Sequence, residues 1–160
     1  MADSVLTPMR VLDVNEEHLF AVTAEAPFEK LDEALGRLIP LLDAARAEAG
    51  LQGAHLMVFR YLPAETEGLW RMDVGVQVTP FDWVRPAGEA RIVTLPAVRC
   101  ASIVQWGPTL GIVEAYDVLS EAMKAAGLEG TGEAREWNLH FQGDDSPDTV
   151  MLVQQVVREG

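Results

Sequence analysis

Arg99–Phe141, RCASIVQWGPTLGIVEAYDVLSEAMKAAGLEGTGEAREWNLHF, is the stretch whose parsing decides the fold. Val98–Gln105 is rich in apolar and β-branched residues and reads as a strand. Gly107-Pro108 ends it in a turn, because proline has no amide to give to a ladder. Ile112, Ala115, Tyr116, Leu119, Met123 and Ala126 then recur at spacings of three and four, the stripe of a helix packed on one side. Gly127 stands where a helix closes in the left-handed conformation. Arg135–Phe141 reads as the next strand, residues 143–148 (GDDSPD) as a turn, and Val150–Val157 as the last strand.

The same order of parts occurs once earlier in the chain. Within Val11–Thr23 a short strand and a turn at Asn15–Glu17 lead to a strand near Leu19–Ala24. Ala26-Pro27-Phe28 follows, then a helical pattern to Ala49 on Phe28, Leu31, Leu35, Leu38, Ile39, Leu42, Ala45 and Ala49, with Gly50 as its cap. Pro40 interrupts that pattern, removing a donor and crowding the carbonyl of Gly36, and a kink or short break is expected there. Leu56–Leu62 reads as a strand. Trp70, Met72, Val74, Val76 and Val78 alternate with Arg71, Asp73, Gly75 and Gln77, the period of a half-buried strand. Thr79–Glu89 carries two prolines and a glycine and reads as a linker, and Ile92–Leu95 as a short strand after it.

Landmarks align the two halves. Pro27 and Pro108 are 81 residues apart, and the GLQG at Gly50 and the GLEG at Gly127 are 77 apart. The first helix is therefore about one turn longer, or bulged at Pro40. Two copies of a unit too small to bury its own apolar faces predict one α+β domain spanning residues 1–160. The expected architecture is two tandem strand-helix-strand-strand repeats, about 10–79 and 91–158, joined by a linker at about 80–90. Their antiparallel sheet would carry the helices on one side, with a groove between the repeats.

Composition bounds what such a domain can do. A chain of 160 residues can bury about 70% of its unfolded surface. A net charge of −13, from 25 acidic and 12 basic residues, repels phosphates and anionic membranes, so direct nucleic-acid or membrane binding is not expected. It favours a cationic ligand or a basic protein partner, and it serves solubility equally well. No apolar run approaches the ~18 residues of a membrane span, and the N-terminal MADSVLTPMRVLDV has no signal-peptide pattern. The single cysteine, Cys100, reads as a small core residue in a reducing, cytoplasmic setting. His18, His55 and His140 are scattered, Ser102, Ser120 and Ser146 lie in no nucleophile elbow, and no phosphate-binding glycine loop follows a strand. No cofactor, no metal and no catalytic residue is assigned, and the expectation leans away from an enzyme.

Glu136 is the residue to follow. In its strand, Arg135, Trp137, Leu139 and Phe141 share one face, and Glu136, Asn138 and His140 share the other. Two readings stand. The polar face meets solvent, or Glu136 lies at the floor of a groove, where a carboxylate would need a partner, bind a cation or shift its proton affinity. An offset of 77 matches Glu136 to Phe59 and Asn138 to Tyr61, which speaks against a plain solvent face. An offset of 78 matches them to Val58 and Arg60, and says nothing. Trp70, Trp106 and Tyr116 read either as core packing or as groove walls, and aromatic faces attract cations. Trp83 reads as a pin for the linker or a lid.

These residues resemble the GyrI-like small-molecule-binding domain, the effector-binding domain of bacterial transcription activators. The resemblance rests on VTLPAVRCASIVQWGPT, the helix ending GLEG, EAREWNLHF and VMLVQQVV, and in the first half on FAVTAEAPF, GLQG, VFRY and MDVGVQV. It implies tandem strand-helix-strand-strand modules and a groove for aromatic or lipophilic cations, with a buried acid on an E-x-Y strand falling on Glu136. The tyrosine of that motif falls on Asn138, a departure. Some members of the family hydrolyse cyclopropane-bearing alkylating natural products, an activity that the change to Asn138 sets at odds with this chain. Others bind DNA gyrase or are fused to a DNA-binding segment, and no such segment is expected here. The leading expectation is a stand-alone binding domain for a small hydrophobic or cationic molecule, with Glu136, Asn138, Trp106, Phe59, Tyr61, Trp70 and Tyr116 around it. The alternatives are a hydrolase of strained electrophiles, with Glu136 as base and Asn138 or His140 orienting it, and an acidic module that inhibits a partner such as a topoisomerase.

Overall fold

The computed structural model describes residues 4–51, 53–79, 82 and 84–158. Trp83 and its lid or pin reading lie outside the described residues, as does part of the linker. The elements are β1 Val5–Leu6, β2 Arg10–Val14, β3 Glu17–Ala26, α1 Leu31–Ala49, β4 Met57–Pro63, β5 Trp70–Val78, β6 Arg91–Leu95, β7 Val98–Trp106, α2 Ile112–Ala125, β8 Gly130–His140 and β9 Val150–Val157. The class is α+β, and every strand pairing described below is antiparallel.

The chain divides into two compact units. A central unit runs from Asn15 to Ala97, and a terminal unit combines the residues up to Val14 with those from Val98 on. The central unit has the strand order β4-β5-β3-β6. In the terminal unit β8 pairs β9, β9 pairs β7, and β1 and β2 both pair β7. The strand leading each repeat thus sits in the other repeat's sheet. Arg10–Val14 lies along Ser102–Val98, and Glu17–Ala21 takes Leu95–Arg91 as its partner.

Within each unit the helix covers one sheet face. In the central unit Leu31, Ala34, Leu38, Leu42 and Ala45 of α1 pack with Phe20, Val22, Phe59, Met72, Val74, Val76 and Val78. In the terminal unit Ala115, Leu119 and Met123 of α2 pack with Ala101, Ile103, Val153 and Val157. Removing this much apolar side chain from water is what holds a helix of three to five turns on a sheet, at about 25 cal/mol per Å2.

Both helices start and stop alike. Pro27 and Pro108 each accept an amide three residues on, from Lys30 and Gly111, both at 2.9 Å, opening a short 3-10 turn before the α-helix. Gly50 and Gly127 close them at φ of 70° and 71°, the left-handed region that glycine enters without a Cβ penalty. Leu51 and Leu128 then donate back to Arg46 and Met123, at 3.0 and 2.9 Å. The first helix is longer, 19 residues against 14. The break expected at Pro40 is absent: α1 is continuous through it, because Pro40 and Gly36 both lie on the exposed side, where water can serve the orphaned carbonyl.

Three strands differ from the sequence reading, the first being β1, which lies ahead of the first strand expected. β8 begins at Gly130 rather than Arg135 and ends at His140, with a register irregularity between Gly130 and Ala134. β5 is buried on both faces rather than half-buried. Its second face needs no solvent, because Asp73 is ion-paired and Gly75 has no side chain. A Cβ on Gly75 would stand 2.6 Å from the Phe20 carbonyl oxygen and 2.7 Å from the Ala21 Cβ.

Candidate functional site

Glu136 lies mid-strand in β8, directly opposite Val153 of β9, whose side chain belongs to the apolar cluster under α2. Directly paired residues share a face, so Glu136 points toward the helix. It is 7% exposed, which removes the solvent-face reading. Tyr116, half-buried on α2, donates its hydroxyl to Glu136 Oε2 at 2.6 Å. Burial pushes the carboxyl from its ordinary 4.5 up to about 7, while the Tyr116 hydroxyl pulls it back down. The result is an acid that exchanges its proton near neutrality.

The register settles the repeat offset. Phe59 faces Val74 on β5, and both lie in the apolar cluster under α1, as Glu136 faces Val153 under α2. The offset of 77 therefore holds along β4 and β8, and, counted back from the capping Gly50 and Gly127, the same offset matches Tyr116 to Ile39, which packs against the same cluster as Phe59. One unit has an isoleucine and a phenylalanine where the other has a tyrosine and a glutamate.

The other candidates fall as follows. Phe59 is buried, and Tyr61 and Trp70 are half-buried, all in or against the central cluster. The Trp70 ring meets Phe28 edge-on, with centroids 6.0 Å apart. Asn138 is half-buried opposite Met151, and Trp106, at the end of β7, is 41% exposed. Of the terminal-unit candidates, the hydrogen bonds join Glu136 to Tyr116 directly. The group that orients Glu136 is Tyr116 rather than Asn138 or His140. His140 is exposed at the strand end, beside Gln142 at 2.9 Å. The signal for Tyr116 was its place on the core-facing stripe of α2, under which a phenol needs a partner.

The faces turned away from the helices carry buried ion pairs in both units. In the central unit Asp73, fully buried, accepts from Thr23 at 2.6 Å, from Arg71 at 3.1 and 3.2 Å and from Arg60 at 3.4 Å. In the terminal unit Arg135, fully buried, donates to Glu133 at 2.8 Å, Trp137 donates to Gln154 at 2.8 Å, and Gln154 donates to Ser102 at 3.1 Å. Cys100 is buried there, its thiol pushed up to about 11 chiefly by burial, so it is a core residue. Among the described residues no group of His, Cys, Asp or Glu is placed to hold a metal, and no helix is long and apolar enough to cross a membrane.

No protein-family model matches the chain, and neither does any curated protein sequence. Solved structures do match its fold. SAV2435 bound to tetraphenylphosphonium is 8% identical, with a TM-score of 0.70, over 95% of this chain and 94% of that one. The EcmrR C-terminal domain is 16% identical, with a TM-score of 0.69, over 96% and 98%. In an EcmrR–DNA complex the chain spans 58% of the EcmrR chain. A hydrolase from Listeria innocua is 12% identical, with a TM-score of 0.56, over 94% and 91%. At these identities the likeness shows the fold alone.

Proposed function

We propose that the chain binds small hydrophobic molecules, that organic cations are the preferred class, and that Glu136 is the counter-charge. The observation that carries this is the buried Glu136–Tyr116 pair at 2.6 Å, in a place that the other unit fills with Phe59 and Ile39. A carboxylate under a helix is costly to desolvate, and the fold itself accepts apolar residues there. A hydrophobic cation recovers that cost by pairing with the charge while burying its own apolar surface. The fold shared with SAV2435, which was solved with tetraphenylphosphonium, supports the choice of class.

The test is tryptophan fluorescence with tetraphenylphosphonium and with neutral triphenylphosphine oxide. Saturable quenching by the cation at pH 8, weakened at least tenfold in Glu136→Gln, is the expected result. Equal affinity of wild type and variant would remove Glu136 as the counter-charge.

A second reading is hydrolysis of a strained electrophile. It is favoured by the proton affinity of Glu136, whose value of about 7 suits a general base near neutral pH. A hydrolase shares the fold. Tyr116 would supply the phenol that Asn138 lacks. Incubation with a cyclopropane-bearing electrophile and mass spectrometry of the products tests it. Turnover undiminished by Glu136→Gln would exclude this mechanism.

A further inference from the structure

We propose that Tyr116 is the positioning residue of the Glu136 carboxylate: it holds Oε2, leaves Oε1 for the ligand, and makes cation capture an exchange in which Glu136 releases its proton. This deepens the binding reading above and rests on it.

The geometry is specific. The Tyr116 hydroxyl donates to Oε2 at 2.6 Å, while Oε1 takes no hydrogen bond among the described residues. A hydroxyl that gives its one proton to a carboxylate oxygen favours the ionised form and fixes the rotation of the group. Tyr116 itself is anchored, packed against the cluster of Ala115, Leu119, Met123 and Val153, so its oxygen has a defined position. Nothing in the fold requires the pair, since Ile39 and Phe59 occupy the matching places in the central unit.

The surroundings leave the exchange to these two groups. On α2 the charged residues Glu114, Asp117, Glu121 and Lys124 all lie on the exposed side. On β9 the residues sharing the face are Met151, Val153, Gln155 and Val157, and on β7 they are Arg99, Ala101, Ile103 and Gln105; of these Arg99 alone is charged, and it is exposed, four residues along from Ile103, and ion-paired with Asp13 of β2 at 3.2 Å. On β8 Glu133 and Arg135 pair with each other at 2.8 Å on the opposite face, Ala134 and Asn138 share the face of Glu136, and His140 is exposed at the end. With burial holding the free carboxyl at about 7, the step below neutrality is protonated Glu136 plus cation giving ionised Glu136 paired with the cation, and one proton to solvent.

The experiment is calorimetric titration of the full chain with tetraphenylphosphonium from pH 5.5 to 9, in buffers of different ionisation heat. Wild-type affinity is expected to rise about tenfold per pH unit below 7 and then level. Close to one proton should be released per cation at pH 6 and close to none at pH 9. Tyr116→Phe keeps the ring and loses the donor. Its profile should move up by about one pH unit, weakening binding about tenfold at pH 6 and recovering it at pH 9, a recovery that mere loss of packing would not give. Glu136→Gln should be weak and flat with pH. Cation binding that depends on Glu136 but is flat with pH, with no proton release, would overturn this inference and leave the binding reading standing. A Tyr116→Phe profile that overlays wild type would also overturn it. No binding by any variant at any pH would remove both.

Discussion

The central and terminal units have one architecture, and each matches buried charge with opposite charge on the face away from its helix, but only the terminal unit also buries a carboxylate under the helix. The central unit keeps its helix-facing side apolar, with Ile39 and Phe59, and puts its ions on the other face, where Asp73 is matched by Arg60, Arg71 and Thr23. The terminal unit puts a carboxylate under its helix, held by the phenol of Tyr116, and on its other face sets the buried Arg135–Glu133 ion pair beside the neutral chain Trp137–Gln154–Ser102. A charge matched by opposite charges is part of the frame. A carboxylate held by one hydroxyl can still take a partner, and it is this difference on which the proposed binding reading rests.

The largest effect that would sharpen this contrast lies in the frame. Asp73→Ala leaves two guanidinium groups without their buried carboxylate, and an unfolding loss of about 3 kcal/mol or more in urea is expected. A loss under about 1 kcal/mol would show that Asp73 is not the pivot of the central unit.

Glu136→Gln should do the reverse, and only at high pH. The folded carboxyl is raised from 4.5 to about 7, so the folded chain holds a proton that the unfolded chain releases. Stability tied to this group is full below pH 4.5, falls between 4.5 and 7, and stays lowered above. At pH 8 the variant should be more stable than wild type by about 3 kcal/mol, and at pH 4.5 by almost nothing. Urea midpoints at the two pH values read it. An equal effect at both would mean that Glu136 is not strained by burial.

These two sites show what the sequence could and could not reveal. The α+β repeat, the helix stripes and the caps at Gly50 and Gly127 were legible, because local spacing encodes them. The burial of Glu136 was not, since alternation tells which residues share a face and not what covers it. Nor was the bond from Tyr116, which depends on a helix seated over a strand 20 residues on. The match of Glu136 to Phe59 was the one clue, and it hung on a choice between offsets that the strand register decides. The exchange of β2 and β6 was invisible for a related reason: a strand's own pattern does not name its neighbour.

A further prediction concerns close approach. Gly75 of the central unit corresponds to Gln154 of the terminal unit, and Ala21 to Ser102, so a glycine against an alanine stands where the other unit has a hydrogen-bonded amide and hydroxyl. Gly75→Ala would drive a Cβ into the Phe20 carbonyl, and a loss of about 2 kcal/mol is expected in thermal or urea unfolding. No loss would mean that β3 and β5 can part there without penalty.

The smallest effect tests whether the units are equivalent where they look identical. Gly50 and Gly127 have φ of 70° and 71°, and an added Cβ meets nothing within 4 Å at either. Substitution by alanine thus costs only the left-handed backbone, about 1 kcal/mol at each site, with no clash added. Paired urea unfolding of Gly50→Ala and Gly127→Ala should give losses equal to within about 0.5 kcal/mol and additive in the double variant, the sites being independent. The helices that these glycines close differ in length and in what they cover, an apolar pair under α1 and a carboxylate under α2. Equal losses would place the asymmetry of the molecule in Glu136 and Tyr116 rather than in the way their helix is built, whereas a larger loss at Gly127 would tie the carboxylate's burial to the ending of α2 itself.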